Sequence, residues 1–346
     1  MSNRPNWTKL HAKLHQTLRQ RQLLAQQQRV LIAVSGGQDS VCLAQLLLDL
    51  QPKWRWQLAI AHCDHRWLKD QGMAEHVQQL AQNWSLPFYL KTAAEIATSE
   101  AAAREWRYQS LIEIAQAQGY QNVVTGHTKS DRAETVLYNL IRGSGADGLQ
   151  ALTWKRPLSC GLQLVRPLLQ VTRIETLQFC QEHHLPIWED SYNQDLKYAR
   201  NRIRQELIPY LQTHFNPQVE MALAQTAELL RADVAYLEEA AKELRQQAMA
   251  PVHPEEQDEL SASDSASPRL NRLVLHQASL ALQRRVMRQF LSTIQQAAPS
   301  FEQIEEMTAL ITAPNRSRTS SFPAGVTAVV EDNWIVLRGE GERVEG

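Results

Sequence analysis

Residues 30–40, Val30-Leu31-Ile32-Ala33-Val34-Ser35-Gly36-Gly37-Gln38-Asp39-Ser40, join an uninterrupted apolar run to a glycine turn. A short, β-branched run of this kind suits a strand buried on both faces of a parallel sheet. Ser35-Gly36-Gly37 breaks it, and an apolar helix, Val41 to Leu50, follows. The same unit recurs down the chain. Leu58-Ala59-Ile60-Ala61 precedes a helix near 73–84, Phe88-Tyr89-Leu90 precedes an alanine-rich helix near 99–118, and Val123-Val124-Thr125 precedes a helix from about Asp131 to Arg142. Strands alternating with helices at this spacing predict an α/β fold, an open, doubly wound parallel sheet. Such sheets bind ligands at the carboxyl ends of their strands.

From about residue 172 helices dominate, through Thr172–His184, Ala199–Leu211 and Gln218–Ala248. Residues 251–268, rich in Pro, Ser and acids, have almost nothing to bury and read as a mobile linker. The tail opens with helices and ends in two strands, Val326–Glu331 and Trp334–Arg338, joined at Asp332-Asn333, which makes a small α/β module. The expected organisation is a first domain over 1–215, a helical connector over 216–250, the linker, and a last domain over 269–346. At the start, Trp7, Leu10, Leu14 and Leu18 fall at helical steps, so 7–24 forms an amphipathic helix whose outer face is basic.

The 346 residues carry 36 Lys+Arg against 37 Asp+Glu, so any grip on nucleic acid must come from local basic patches. No run approaches the ~18 apolar residues of a membrane span, and the N-terminus has no apolar h-region, which implies a soluble cytoplasmic chain with no membrane partner. Cys42, Cys63, Cys160 and Cys180 are far apart and never form C-x-x-C, so neither zinc nor an iron–sulfur cluster is expected. Three glycosylation-type sequons, at Asn6, Asn83 and Asn315, are discarded for a chain outside the secretory path.

The turn carries the strongest chemical signal. Gly36 and Gly37 let backbone N–H groups converge, Ser35 and Ser40 add hydroxyls, and the following helix adds its dipole, so the turn is an anion cradle for phosphate. It lacks the lysine of a G-x-x-x-x-G-K-[ST] loop. Asp39 facing phosphates requires a cation between them and implies magnesium. Asp131 and Glu134, three apart on a helix, share a face and can hold a cation, either magnesium or an ammonium. Arg104 and Arg107 likewise share a face and suit phosphates of ATP or RNA. Arg200, Arg202 and Arg204 cluster in a way that suits an RNA backbone, and Arg269, Arg272, Arg284, Arg285 and Arg288 form a second concentration. Gly143 to Gly148 fits G-x-G-x-x-G but follows a helix, so a dinucleotide site is rejected. His11, His15, His183 and His184 read as ordinary helix residues.

The hexapeptide Ser35–Ser40 resembles the S-G-G-x-D-S signature of PP-loop ATP pyrophosphatases, which make an adenylate from ATP. Further segments resemble the tRNA(Ile)-lysidine synthases within that superfamily: Cys63-Asp64-His65, Glu100 to Tyr108, Gly126-His127 through Asp131, Glu134 and Thr135, Arg142 to Gly145, Arg166-Pro167-Leu168-Leu169, Glu189 to Asn193, and Arg200 to Arg204. Together they span about 30–215 in the family's order. There are two departures: Ser130 stands where members carry a second acid, and Arg66-Trp67-Leu68 replaces Gly-Leu-Arg, with Arg66 or Lys69 as substitutes for the basic residue.

The resemblance implies a PP-loop, Rossmann-like sheet and a ligase. That ligase adenylates the wobble cytidine of the CAU-anticodon isoleucine tRNA and joins free L-lysine to its C2. It implies ATP sites at Ser35, Gly36, Gly37, Gln38, Asp39, Ser40, Arg104 and His127, and magnesium on Asp39. Asp39, Asp131 and Glu134 are the implied catalytic residues, with Asp131 and Glu134 on lysine, and Arg107, Arg200, Arg202 and Arg204 on tRNA. The tail resembles the family's substrate-binding domain, and no counterpart is seen of the further C-terminal domain of longer members. A homodimer is compatible with the sequence. A tRNA thiolase of the same superfamily, or a non-catalytic RNA-binding relative, is the competing reading; the first needs a catalytic cysteine pair or iron–sulfur ligands, and the second has no use for Asp39.

Overall fold

The computed structural model describes residues 7–67, 71–96, 98–188, 195–249, 268–295 and 297–339. Three sequence expectations therefore lie outside the described residues: the Glu189–Asn193 segment, Leu68 and Lys69, and the linker up to 267. The chain divides into two compact units, Met1–Leu230 and Arg231–Gly346.

In chain order the first unit carries α1 (Lys9–Gln20), β1 (Arg29–Ala33), α2 (Gln38–Trp54), β2 (Gln57–Asp64), α3 (Met73–Asn83), β3 (Phe88–Thr92), α4 (Glu100–Gln118), β4 (Asn122–Thr125), α5 (Lys129–Ile141) and the short α6 (Ala146–Leu149). These are followed by β5 (Lys155–Ser159), β6 (Leu162–Val165), α7 (Arg173–Glu182), α8 (Ala199–Arg202), a π-helical turn (Ile203–Leu207) and α9 (Ile208–His214). The long α10 (Val219–Met249) begins in this unit.

The sheet runs β3-β2-β1-β4-β6-β5, with β1, β2, β3, β4 and β6 parallel and β5 antiparallel at the edge. Alternation along β1 explains why it is central. Val30 and Ile32 join Leu43, Leu46, Leu47 and Phe179 on one face, while Leu31 joins Ala59, Leu111, Ile114 and Val123 on the other. Both faces are covered, as the continuous apolar run requires. Ile32 stands opposite Ile60 on one side and Val124 on the other. Strand order reverses between β1 and β4, so the crevice at their carboxyl ends is the topological switch point of the sheet.

The β5–β6 hairpin is a finding that the sequence reading did not include. Pro157 lacks a ladder donor and sits on the outermost strand, where that is tolerated, and Gly161 turns the chain at φ 70°. The N-terminal helix is shorter than its pattern: Thr8 caps it in a reciprocal box with His11, and it ends at Gln20. Its basic face is partly spent within the unit, because Lys13 pairs with Glu175 at 2.7 Å and Arg21 with Glu228 at 2.7 Å. His11, fully buried, meets Asp49 at 2.9 Å.

The second unit holds the rest of α10, then β7 (Arg269–Asn271), α11 (Arg272–His276), α12 (Leu280–Leu291), α13 (Phe301–Ala309), β8 (Thr327–Glu331) and β9 (Trp334–Arg338). Its antiparallel sheet has the order β7-β9-β8 and packs Leu270, Val330 and Ile335 against Val286, Met287 and Phe290. The β8–β9 hairpin turns at Asp332 (φ 50°), as the sequence suggests, whereas β7 is too short to leave a pattern. Its arginines are engaged. Arg284 pairs with Glu305, Arg285 and Arg288 converge on Glu238, Arg272 donates to the Ala313 carbonyl, and Arg269 lies over the Trp334 ring. No helix among the described residues is long and apolar enough to cross a membrane.

Candidate active site

The turn after β1 needs glycine at one place for its backbone and at another for its neighbour. Gly36 adopts φ 90°, a left-handed conformation that other residues avoid. Gly37 caps α2 with no side-chain hydrogen bond, which leaves the first amides of the helix available to an anion. Gly126, after β4, is set by contact: a Cβ there would lie 2.8 Å from the Asp39 carbonyl oxygen. The Gly126-His127 segment thus rests directly on the turn. Ser40 is buried and braces the turn from within, accepting from the Ser35 amide at 3.1 Å and donating to the Gly37 carbonyl at 2.9 Å. Ser35 stays exposed. Gln38 ties α2 to α7, donating to the Arg173 carbonyl at 2.8 Å.

Three carboxylates gather beside the turn. Asp39 pairs with Arg173 at 2.9 Å and accepts from the Thr176 hydroxyl and from Gln38. Burial and the charge of Asp131 raise its carboxyl above the usual range, against the pull of Arg173 and Thr176. Asp131 closes the N-terminal box of α5, where its Oδ2 accepts from the Thr128 amide at 2.7 Å and hydroxyl at 2.8 Å. Burial works to raise it, but the Thr128 amide, Arg173 and Arg204 outweigh burial, so it titrates below the usual range. Glu134 is only 4% exposed and receives two bonds from Arg204, Nε at 2.6 Å and Nη2 at 2.8 Å. Burial nevertheless keeps its carboxyl raised.

Arg204 reaches these acids from the π-helical turn, an irregularity that often marks functional sites. Its Nη2 also approaches Asp131 at 3.5 Å. Arg204, expected from the sequence to meet an RNA phosphate, has its fork on two carboxylates in this structure. Arg202 donates to the Leu196 and Lys197 carbonyls and lines a cavity of about 740 Å³ with Tyr138, Arg142, Glu206 and Tyr210. None of the three acids lines it. Arg200 lies over the Tyr138 ring at 5.5 Å and meets the exposed Glu100 at 3.3 Å. His127 bonds through Nδ1 to the Thr125 hydroxyl at 2.8 Å, and burial, aided by Arg166, Arg107 and Arg104, pushes it down to about 3, a neutral ring. Arg104 and Arg107 lie on α4 over the Tyr108 ring. Arg66 adopts φ 59° and donates to the Ala94 carbonyl.

Sequence reasoning missed Arg173 and Thr176, which bring α7 onto Asp39, and gave no site role to Arg166, quoted only within its segment and 2% exposed. Their one signal is position: Thr172 caps α7, so Arg173 and Thr176 occupy its first turn and share a face three residues apart. Among the described residues no group of three or more His, Cys, Asp or Glu side chains forms a metal cluster.

Residues 7–211 match the PP-loop domain family, and residues 270–335 match the TilS substrate binding domain. Over 97% of its length the chain is 65% identical to the tRNA(Ile)-lysidine synthase of a Nostoc species, covering 98% of that protein. The chain belongs to the tRNA(Ile)-lysidine synthase family. A Synechocystis member is 52% identical over 95% of this chain and 97% of its own. Among solved structures, a tRNA thiolase from Methanococcus maripaludis that carries an iron–sulfur cluster shares the fold, with a TM-score of 0.53 and 16% identity over 64% of this chain and 77% of that one. Ser130, the departure from the lysidine synthase pattern, accepts from the Arg173 amide at 3.3 Å and so joins α5 to the start of α7.

Proposed function

We propose that the chain is an ATP-dependent ligase that joins lysine to C2 of the wobble cytidine in the CAU-anticodon isoleucine tRNA, changing its decoding and its amino acid from methionine to isoleucine. The cytidine O2 attacks the α-phosphorus of ATP, an O2–P bond forms, and pyrophosphate leaves. The lysine ε-amine then attacks C2, the C2–O bond breaks, and AMP departs with that oxygen. The observation that carries this reading is 65% identity over 97% of the chain together with three carboxylates gathered at the sheet's switch point. We assign the catalytic part to 1–215 and tRNA binding to the tail, 269–346, and we place the reaction in the cytoplasm, where ATP, lysine and tRNA meet.

In this reading the amides at Gly37 hold ATP phosphates, and Asp39 works through magnesium. The donor set fits that ion: magnesium takes one or two carboxylates and fills its shell with phosphate oxygens and water. Burial, with the charge of Asp131, raises the Asp39 carboxyl although Arg173 lies on it at 2.9 Å, and the ion would share that carboxylate with the arginine. When bound, the ion neutralises the leaving pyrophosphate. The acids of α5 divide the work on lysine. Asp131, held ionised, keeps the ammonium, while Glu134, whose raised carboxyl is the stronger base, takes the proton that an amine of pKa ~10.4 must lose before attack. The guanidinium of Arg204 on both acids supports a pair built for an organic cation.

The thiolase alternative has little support in the cysteines: Cys42 and Cys180 are buried, and burial pushes the Cys63 thiol up to about 12, far from a reactive thiolate. The test is incubation with ATP, labelled lysine and total tRNA. Label in the isoleucine tRNA is expected; its absence with intact pyrophosphate release overturns the reading.

A further inference from the structure

We propose that Arg104, Arg107, Arg156 and Arg166, gathered around Tyr108, form a phosphate-binding site that takes a backbone phosphodiester of the RNA next to the reacting base. The inference rests on the reading of the chain as a tRNA ligase and names a further contact for that substrate.

Three separate segments build the cluster. Arg104 and Arg107 come from α4, Arg156 from the edge strand β5, and Arg166 from the residue after β6. The guanidinium carbons of Arg104, Arg107 and Arg156 lie 5.4, 5.8 and 5.1 Å from the Tyr108 ring centre. None of the four meets a carboxylate at ion-pair distance among the described residues. Arg166 donates to the Thr153 carbonyl and Arg156 to the Pro157 carbonyl, so these bonds orient them without neutralising charge. The Arg166 Nε and the Tyr108 hydroxyl are both buried, and the two side chains act on each other without bringing a carboxylate to the cluster.

Four like charges around one ring repel each other, and burial adds to the cost. Both effects register in the groups themselves. Burial and the neighbouring guanidiniums lower Arg104 and Arg166. Burial pushes the Tyr108 phenol up, and Arg104, Arg166 and Arg107 outweigh burial, leaving it below its usual range. A cluster of this kind is relieved by an anion. Arginine forks suit phosphate oxygens, and aromatic faces beside them suit RNA.

Location selects the RNA. Val165 at the end of β6 stands opposite Val124 on β4, so Arg166 lies next to the end of the strand that His127 follows, and the cluster borders the reaction site. ATP phosphates have their own amides at the Gly37 turn. A wobble base splayed into the crevice brings its adjoining phosphates along, and these need a cationic wall outside that turn.

The experiment compares the full chain with Arg156→Gln, Arg156→Lys and Arg107→Gln. It measures tRNA affinity across a salt titration, the KM for ATP in pyrophosphate release, and thermal melting. Arg156→Gln is expected to weaken tRNA binding several-fold at low salt and to reduce the slope of log K against log salt by ~0.7–0.9, with the ATP KM unchanged. Arg156→Lys should keep the slope, and Arg107→Gln, on another segment, should reduce it equally. An unchanged slope in both Gln variants overturns the site. So does a raised ATP KM with unchanged tRNA affinity, which assigns the cluster to ATP. Wild-type protein that binds tRNA but incorporates no lysine defeats the ligase reading and leaves the slope comparison intact.

Discussion

Two sets of arginines occupy the first unit, and they differ in what neutralises them. Arg173 and Arg204 each sit on carboxylates, at 2.9 Å from Asp39 and 2.6 Å from Glu134. Arg104, Arg107, Arg156 and Arg166 sit around a phenol and meet no acid among the described residues. In the reading proposed above, the first set fixes the position of acids meant for a cationic substrate, and the second keeps its charge for an incoming phosphate. Arginine-rich sequence does not separate the two. The five arginines of the tail show the same lesson, since each is spent on Glu238, Glu305, Trp334 or a carbonyl.

The paired side should give the largest effect. Asp39→Asn leaves the Thr176 and Gln38 bonds a partner and keeps the side chain's shape, but removes the charge that faces ATP. Adenylation is expected to fall at least ~10²-fold, the scale of one preorganised electrostatic group, with melting little changed. Near-normal pyrophosphate release by this variant would leave Asp39 only its structural pair with Arg173.

How much of this was legible in the sequence depends on the range of the interaction. Strand β1, its turn and the four-fold strand–helix alternation are local patterns, and Val30–Ser40 carries them in full. Asp39, Asp131 and Glu134 are legible because each sits at a strand's end or on one helix face. The partners of these acids are not: Arg173 lies 134 residues from Asp39 and Arg204 lies 70 from Glu134, and no spacing rule reaches that far. The β5–β6 hairpin was hidden because Pro157 argues against a strand, and the edge position that excuses it is a property of the finished sheet. Arg156 is hidden for the same reason.

The two acids of α5 give the next effect. Glu134→Gln is expected to raise the KM for lysine about tenfold or to stall the second step, while adenylated tRNA accumulates. In the wild type the second step should quicken as pH rises through the raised Glu134 carboxyl, because only the ionised form accepts a proton. The Gln variant should lose that limb. Loss of pyrophosphate release together with lysine transfer would place Glu134 in the first step.

The smallest and sharpest contrast lies between Arg200 and Arg204, four residues apart in one motif. Arg200 holds the exposed Glu100 at 3.3 Å, a surface pair of little worth that a phosphate can displace. Arg204 is locked on Glu134, a nearly buried carboxylate, and removing it leaves that acid without its partner. The two substitutions should therefore separate cleanly. Arg200→Gln is expected to keep the melting temperature and to lower the tRNA salt slope by ~0.7–0.9, the loss of one phosphate contact. Arg204→Gln should lower the melting temperature and leave the slope as it is. Salt titration of tRNA binding, run beside thermal melting on both variants, decides the point. If Arg204→Gln flattens the slope instead, the guanidinium leaves Glu134 for a phosphate when RNA binds, and the pair on α5 is released for lysine by the tRNA itself.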